Sequence, residues 1–180
     1  MEKYIILHGS FSLKDGNWFP WLSKQLEGQG KTVIVPQMPI GVGKQNFDSW
    51  SDVFDKLDID ENTTIIAHSI GPIFVCKYLI TNKIKVKKLV FVCGFNSYLG
   101  IDADYDAVNE PMFVENLEDI KKYCSDIVCF YSDDDPYVAY DVEKAFADAI
   151  ASQQICLKGA GHINAERGYT KFEEILEYLS

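Results

Sequence analysis

Six short apolar stretches are spaced along the whole chain and set its predicted architecture. They cover residues 4–7, 32–35, 63–67, 88–92, 126–131 and 154–157. Several are rich in β-branched residues and lack a strict alternation of polar and apolar positions. That pattern is typical of strands buried on both faces of a sheet.

Segments with helical spacing lie between these stretches. We expect helices at about 18–27, 47–57, 70–80, 114–123, 137–151 and 169–179. The last segment repeats apolar residues at the three- and four-residue steps of one helix face, at Phe172, Ile175, Leu176 and Leu179. The alternation of strand and helix predicts a three-layer α/β fold, with a mostly parallel central sheet of about six strands and helices on both faces.

Length and charge narrow the class of protein. The chain has 180 residues, 47% of them hydrophobic, and we find no linker or internal repeat, so we expect a single domain over residues 1–180. The 27 acidic residues outnumber the 17 basic ones. Because no basic surface is then available for phosphates or anionic lipids, neither nucleic acid nor a membrane is an expected partner.

The five cysteines favour a reducing compartment. Their number is odd and they lie mostly inside apolar stretches, as buried thiols do, rather than in a disulfide framework. The absence of C-x-x-C and H-E-x-x-H motifs predicts no metal site. The stretch at 4–7 is too short for a signal peptide and no stretch reaches transmembrane length, which predicts a cytoplasmic protein.

A candidate nucleophile follows the third predicted strand. That strand leads directly into Ala67-His68-Ser69-Ile70-Gly71, and a helical segment begins at once. Strand, tight turn and helix form a nucleophile elbow with Ser69 as the nucleophile. Glycine is usual two positions before and after the serine because the sharp turn crowds the backbone, and Ala67 departs from this by one methyl group. Alternatively, Ser69 only caps the helix.

A serine hydroxyl needs a general base, and the base needs an orienting acid, in the chain order serine, acid, histidine. The fifth predicted strand ends in Asp133, Asp134 and Asp135. We favour Asp135 as the acid because Pro136 stiffens the turn and the next helix follows it, and Asp134 is the second choice. An acidic turn that caps this helix explains one or two of the aspartates equally well.

His162 is the predicted general base. It lies in a glycine-containing loop between the last strand and the final helical segment. We expect the other two histidines to be structural. The side chain of His68 should diverge from that of its neighbour Ser69, and His8 should shape the loop after the first strand.

Acyl transfer also needs donors for the negative charge that develops on the substrate oxygen. The candidates are the backbone N–H groups of Ile70, directly after the nucleophile, and of Ser10, with Phe11 as the substitute for Ser10. Together these residues predict a carboxylesterase-like serine hydrolase that cleaves a small ester, thioester or amide through an acyl-Ser69 intermediate.

These motifs resemble a family of small serine hydrolases within the α/β-hydrolase superfamily, the YdeN and retinoblastoma-binding-protein-nine family. The likeness spans nearly the whole chain and is carried by residues 4–9, 17–22, 67–71 and 132–135. It implies an α/β-hydrolase fold without a cofactor, with Ser69 as nucleophile, Asp135 as acid and His162 as base. In that family alanine before the His-Ser pair is familiar. The resemblance leaves the substrate open.

Residues 94–113 form an irregular segment where α/β-hydrolases often insert a lid. Its large apolar residues either line an acyl pocket or cover the core: Phe95, Tyr98, Leu99, Ile101, Tyr105, Met112 and Phe113. Acidic residues without intervening Lys or Arg run through it and beyond, at Asp102, Asp104, Asp106, Glu110, Glu115, Glu118 and Asp119. They predict a solvated face, which would repel anionic substrates if it bordered the site.

Two other functions remain open at this point. A protein-interaction module could keep the fold without turnover, although serine, acid and histidine all occur in the required order. A flavodoxin-like nucleotide-binding domain shares the layered architecture. The sequence lacks G-x-x-x-x-G-K-[ST] and has no G-x-G-x-x-G after the first strand, which argues against that domain.

Overall fold

Six parallel strands form one sheet in the computed structural model of the protein, which describes residues 2–179. The strands are β1 (Lys3–Leu7), β2 (Thr32–Ile34), β3 (Thr63–His68), β4 (Lys88–Val92), β5 (Ile127–Ser132) and β6 (Gln153–Leu157). Their order is β2-β1-β3-β4-β5-β6, and every neighbouring pair is parallel. The predicted parallel sheet is confirmed, and the loops after its strands share one end of it.

Helices cover both faces of this sheet. They are α1 (Phe19–Gly28), α2 (Phe47–Phe54), α3 (Gly71–Asn82), α4 (Ala103–Asn109) and α5 (Tyr140–Ile150). Alternate residues of β1 point to opposite faces. Ile5 and Leu7 belong to the apolar layer that holds α2, α3 and α5, and Tyr4 and Ile6 to the layer under α1. The three-layer prediction is confirmed.

The edge strands are less buried than the sequence pattern predicts. β6 alternates between exposed and half-buried residues, and β2 has one exposed and two half-buried residues. Each pairs with a neighbour on one side only, so its outer edge faces solvent. Cys156 on β6 is therefore exposed, whereas the other four cysteines are buried, and all five are free thiols.

Two of the segments predicted as helices contain 3₁₀ turns and no α-helix. The segments predicted at 114–123 and 169–179 contain the 3₁₀ turns Leu117–Lys122 and Glu173–Tyr178. Apolar residues three apart satisfy a 3₁₀ turn as well as an α-helix, and neither turn has a side-chain hydrogen bond at its N-cap. The buried face itself is largely as predicted, since Phe172, Ile175 and Leu179 are buried.

The 94–113 segment is more ordered than its sequence suggests. It contains α4 and the 3₁₀ turn Glu110–Met112. Asp102 caps α4 by accepting a hydrogen bond from the backbone N–H of Tyr105 at 2.7 Å. An aspartate followed by acidic residues in the first turn is a helix-start signal that was present in the sequence. Between residues 2 and 179, no helix has the length and apolar character required to cross a bilayer.

Candidate active site

Ser69 lies in a strained turn between β3 and α3. Its φ is +62°, in the left-handed region that residues with a side chain rarely adopt. The Ser69 N–H donates to the carbonyl of Val92 on β4 at 2.9 Å, which anchors the turn to the sheet. The N-cap of α3 is Ile70, with no side-chain hydrogen bond. Ser69 therefore does not cap the helix, and the turn has the form of a nucleophile elbow.

Small residues make room for this turn. A Cβ atom on Gly9 would lie 2.6 Å from the Cβ of Ser69, so the loop after β1 packs directly against the serine. A Cβ atom on Gly71 would lie 3.2 Å from the Cβ of Ala67. Ala67 is accommodated because the residue that faces it has no side chain.

The three aspartates after β5 each hold a different residue of the loop that carries His162. We call Asp133, Asp134 and Asp135 the aspartate ladder. The hydrogen bonds run to Asp133 from Gly159 N–H at 2.8 Å, to Asp134 from Gly161 N–H at 2.7 Å, and to Asp135 from His162 Nδ1 at 2.6 Å. The ladder does not cap α5, whose N-cap is Ala139 without a side-chain hydrogen bond.

Asp135 differs from its neighbours in burial and in the number of hydrogen bonds it accepts. Its Oδ2 atom contacts His162, and its Oδ1 atom accepts from the backbone N–H groups of Tyr137 and Val138 at 2.8 and 3.0 Å. Burial opposes ionisation, but these hydrogen bonds and the charge interaction with His162 outweigh it and lower the pKa of Asp135 to about 2. Asp134 instead pairs with Arg167 at the surface.

Ser69 and His162 line the same cavity of about 340 Å³. The rest of its wall consists of Gly9, Ser10, Phe11, Ser12, Asn17, His68, Tyr105, Tyr137, Asn164 and Glu166. Loops after β1, β3, β5 and β6 thus meet here, as expected at the carboxyl end of a parallel sheet. Asp135 lies behind His162, with its side chain fully buried.

Unpaired backbone donors lie beside the serine. Within the described part of the chain, the N–H groups of Ser10, Phe11 and Ile70 form no hydrogen bond. Ser10 and Phe11 line the cavity, and Ile70 follows Ser69 directly. Ile70 is buried, Ser10 is half-buried and Phe11 is exposed. A buried N–H group is normally paired, so the one on Ile70 in particular is available to an oxygen atom of a ligand.

The other two histidines are buried. His68 Nε2 donates to the carbonyl of His162 at 2.8 Å, and burial with the nearby His162 lowers the pKa of His68 to about 3. His68 also lines the cavity that Ser69 lines. In the loop after β1, His8 Nδ1 donates to the carbonyl of Gly9, and burial lowers the pKa of His8.

A buried polar cluster that the sequence did not reveal ties this loop to α4. Gln45 Nε2 donates to Ser10 Oγ at 2.8 Å and to Asn109 Oδ1 at 3.0 Å, and Ser10 Oγ donates to the same oxygen of Asn109. Gln45 and Asn109 are far apart in sequence and match no motif. Among the large apolar residues of 94–113, only Tyr105 lines the cavity, while Phe95 and Met112 are buried and Tyr98 and Ile101 are exposed.

Acidic groups lie on two sides of the cavity. Glu166 lines it and accepts a hydrogen bond from the Tyr137 hydroxyl at 2.7 Å. Asp102 and Asp104 line a shallow pocket that shares Phe11 and Tyr105 with the cavity. Three further residues of the acidic run, Glu115, Glu118 and Asp119, line a separate pocket.

Ligating atoms also cluster behind the cavity. One such atom from each of Cys93, Asp135, Glu143 and His162 lies within 4.8 Å of the others, and His68, Cys93 and His162 form a second group of this kind. His162 Nδ1 is engaged as a donor to Asp135, so the arrangement serves a hydrogen bond between acid and imidazole.

An elbow after the third strand of a parallel sheet, with an acid and a histidine after later strands, defines an α/β-hydrolase fold. The chain belongs to the serine hydrolase family, whose model matches residues 4–180. It is 27% identical to the serine hydrolase RBBP9 of Rattus norvegicus, over 96% of this chain and 89% of that protein. The resemblance deduced from the motifs is confirmed.

Solved structures agree with this fold. The ydeN gene product from B. subtilis matches with a TM-score of 0.86 at 23% identity, covering 99% of this chain and 97% of that one. Est1E from Butyrivibrio proteoclasticus matches with a TM-score of 0.67 at 19% identity, covering 99% of this chain and 88% of that one. At these identities the likeness describes the fold.

Proposed function

We propose that this hydrolase cleaves a small ester, thioester or amide through an acyl-Ser69 intermediate, with Asp135 and His162 completing a catalytic triad. The observation that carries the proposal is the 2.6 Å hydrogen bond between buried Asp135 and His162, at the wall of the cavity that strained Ser69 also lines. A fold kept only for protein interaction has no need for this buried pair.

In the proposed mechanism, His162 donates its Nδ1 proton to the hydrogen bond with Asp135, which leaves Nε2 free to act as the base. Nε2 takes the hydroxyl proton of Ser69 as Oγ attacks the substrate carbonyl, and later gives that proton to the leaving group. The N–H groups of Ile70 and Ser10 stabilise the oxyanion. Water then hydrolyses the acyl-enzyme by the same proton transfers in reverse order.

Covalent labelling by a fluorophosphonate tests the nucleophile. We expect the folded protein to be labelled and Ser69→Ala to be unlabelled. Ser23→Ala is the matched control, because Ser23 lies on α1 and its hydroxyl donates to Glu27 at the surface. Labelling that persists in Ser69→Ala, or no labelling of the folded wild type, would contradict the proposal.

The cavity supports a small, uncharged or cationic substrate. A volume of about 340 Å³ suits a short acyl or leaving group, and Glu166 in the wall disfavours an anion. At low salt we expect cationic esters to be hydrolysed faster than matched anionic esters, and Glu166→Gln to reduce the ratio of the two rates. Equal rates for the two esters in the wild type would refute this preference.

We also propose that residues 94–113 form a short cap over the site within a single domain, residues 1–180. The cluster of Ser10, Gln45 and Asn109 and the ring contact of Phe11 with Tyr105, at 6.0 Å between centroids, support this role. The carboxylesterase-like preference and the cytoplasmic location stay predictions.

A further inference from the structure

Glu143 is an acidic residue on an apolar helix face. It lies in the first turn of α5, on the same face as Phe146, Ala147 and Ile150, and is 1% exposed. Its spacing to these residues is that of a core position. A carboxylate there is costly unless it is paired or protonated, so the residue requires an explanation.

The surroundings of Glu143 provide little support for a charge. Its Oε2 atom accepts one hydrogen bond, from the Ser132 N–H at 3.0 Å. Its Oε1 atom is buried and has no partner among the residues that the structure describes. The ion pairs formed within residues 2–179 do not include it. One carboxyl oxygen is therefore left without a hydrogen bond.

Three loops that follow strands each place a titratable group near Glu143. Cys93 follows β4, Asp135 follows β5 and His162 follows β6, and one ligating atom of each lies within 4.8 Å of a carboxyl oxygen of Glu143. Cys156 on β6 also interacts electrostatically with it. Glu143 thus lies beside the carboxylate that holds His162.

Two carboxyl groups this close do not both ionise readily. Asp135 accepts three hydrogen bonds, which stabilise its charged form. Glu143 accepts one. Burial and the charge of Asp135 raise the pKa of Glu143 to about 9, while the pKa of Asp135 is lowered to about 2. Environments that separate two carboxyl pKa values in this way assign them different roles.

We propose that Glu143 is a positioning residue for the reaction: it remains a neutral carboxylic acid and donates its O–H to the Asp135 carboxylate. The donated hydrogen bond fixes the orientation in which Asp135 accepts the Nδ1 proton of His162. The inference rests on the proposed triad and adds a fourth group, supplied by α5, behind it.

A comparison of Glu143→Gln with Glu143→Leu distinguishes the role of a hydrogen-bond donor from that of a side chain that only fills space. The amide N–H₂ of Gln replaces the O–H, so we expect kcat on p-nitrophenyl acetate at pH 7 to stay within about threefold of wild type. Leu lacks a donor and leaves the Ser132 N–H unpaired, so we expect kcat to fall about 10- to 100-fold with little change in KM. Equal losses in both variants would indicate packing alone and overturn the inference.

The pH dependence of kcat gives a second measurement, which a loss of packing alone would not change. Ionisation of Glu143 near pH 9 would place a second negative charge beside Asp135, so wild-type kcat should fall there. Glu143→Gln should lose this alkaline limb, whereas the exposed control Asp141→Asn on the same helix should keep it. The same alkaline limb in wild type and Glu143→Gln would overturn the inference.

Infrared spectroscopy observes the proton without relying on activity. We expect the carbonyl band of a protonated carboxyl group at pH 7 in the wild type and in Ser69→Ala, and no such band in Glu143→Gln. Absence of the band in the wild type refutes a neutral Glu143. If Asp135→Asn leaves kcat unchanged, the proposed triad fails instead, and the band still reports on Glu143 alone.

Discussion

The two halves of the candidate site are built in different ways. The Ser69 turn has a strained backbone in a buried environment, and it is accommodated by the missing side chains at Gly9 and Gly71. The loop at 158–162, which carries His162, is instead held by carboxylates of the aspartate ladder, two of them exposed. One half depends on close packing and the other on hydrogen bonds to a neighbouring loop.

This difference indicates how each half should respond to mutation. Packed backbone has no alternative arrangement, so one added methyl group affects geometry and stability together. Hydrogen bonds accepted by three separate carboxylates are partly independent, so losing one should cost less unless it is the bond from the imidazole.

Asp135→Asn should have the largest effect on activity. The amide can present N–H₂ to His162 Nδ1, which would place the imidazole proton on Nε2 and remove the base. We expect kcat to fall by about 10³ to 10⁴ with the fold retained. Steady-state kinetics with circular dichroism as the folding control would check this, and a loss of less than tenfold would remove Asp135 from the triad.

Gly9→Ala should damage the packed half. Because the new Cβ would lie 2.6 Å from the Cβ of Ser69, the loop or the turn must shift. We expect a loss of about 10²-fold in kcat/KM and of about 1 to 3 kcal/mol in the free energy of urea unfolding.

Gly28→Ala is the matched control for that substitution. A Cβ atom there meets nothing within 4 Å, and Gly28 lies at the end of α1, away from the cavity. We expect unchanged activity and stability equal to or slightly above wild type. Equal behaviour of Gly9→Ala and Gly28→Ala would disprove the packing account of the elbow.

The pH dependence of stability should report on Asp135. Its folded pKa, about 2, lies below its ordinary value of 3.8, so the stabilisation it contributes is present above about pH 4 and is lost as the pH falls toward 2. We expect wild type to lose about 2 kcal/mol more than Asp135→Asn between pH 5 and pH 2. Urea unfolding at these pH values would check this. An equal decrease in the free energy of unfolding of the two proteins would exclude this contribution.

The outer positions of the ladder should matter least. Asp134→Ala removes the hydrogen bond from Gly161, which directly precedes His162, and the ion pair with Arg167. We expect kcat to fall about three- to tenfold. Asp133→Ala frees only Gly159, three residues before His162, and should cost less than about threefold. A larger loss in Asp133→Ala than in Asp134→Ala would show that the loop is not held position by position.

The sequence predicted well those features that are formed by residues contiguous in the chain. The strand, the turn at Ser69 and the start of α3 are contiguous in sequence, so their geometry follows from residue size and helix rules. The sheet was predictable for the same reason, because each strand is an apolar run of its own. The choice among the three aspartates depended on a long-range contact with His162. The sequence supported Asp135 only through Pro136, the helix that follows and the family resemblance.

What the sequence missed arises from contacts between distant segments. Gln45 and Asn109 meet at Ser10 only in the folded chain, and no local pattern marks them. Glu143 did leave a signal, a charged residue at core spacing in α5, but its meaning required the neighbouring Asp135. The 3₁₀ turn Leu117–Lys122 was missed because its apolar spacing fits both kinds of helix.

The aspartate ladder also fixes the number of residues in the 158–162 loop. Two of its successive carboxylates bind Gly159 and Gly161, and the third binds His162. An insertion or deletion of one residue between Gly159 and His162 would therefore misalign these hydrogen-bonded pairs. The imidazole would be displaced even though every functional side chain was still present. Loop length should be conserved in functional variants as strictly as the identity of His162.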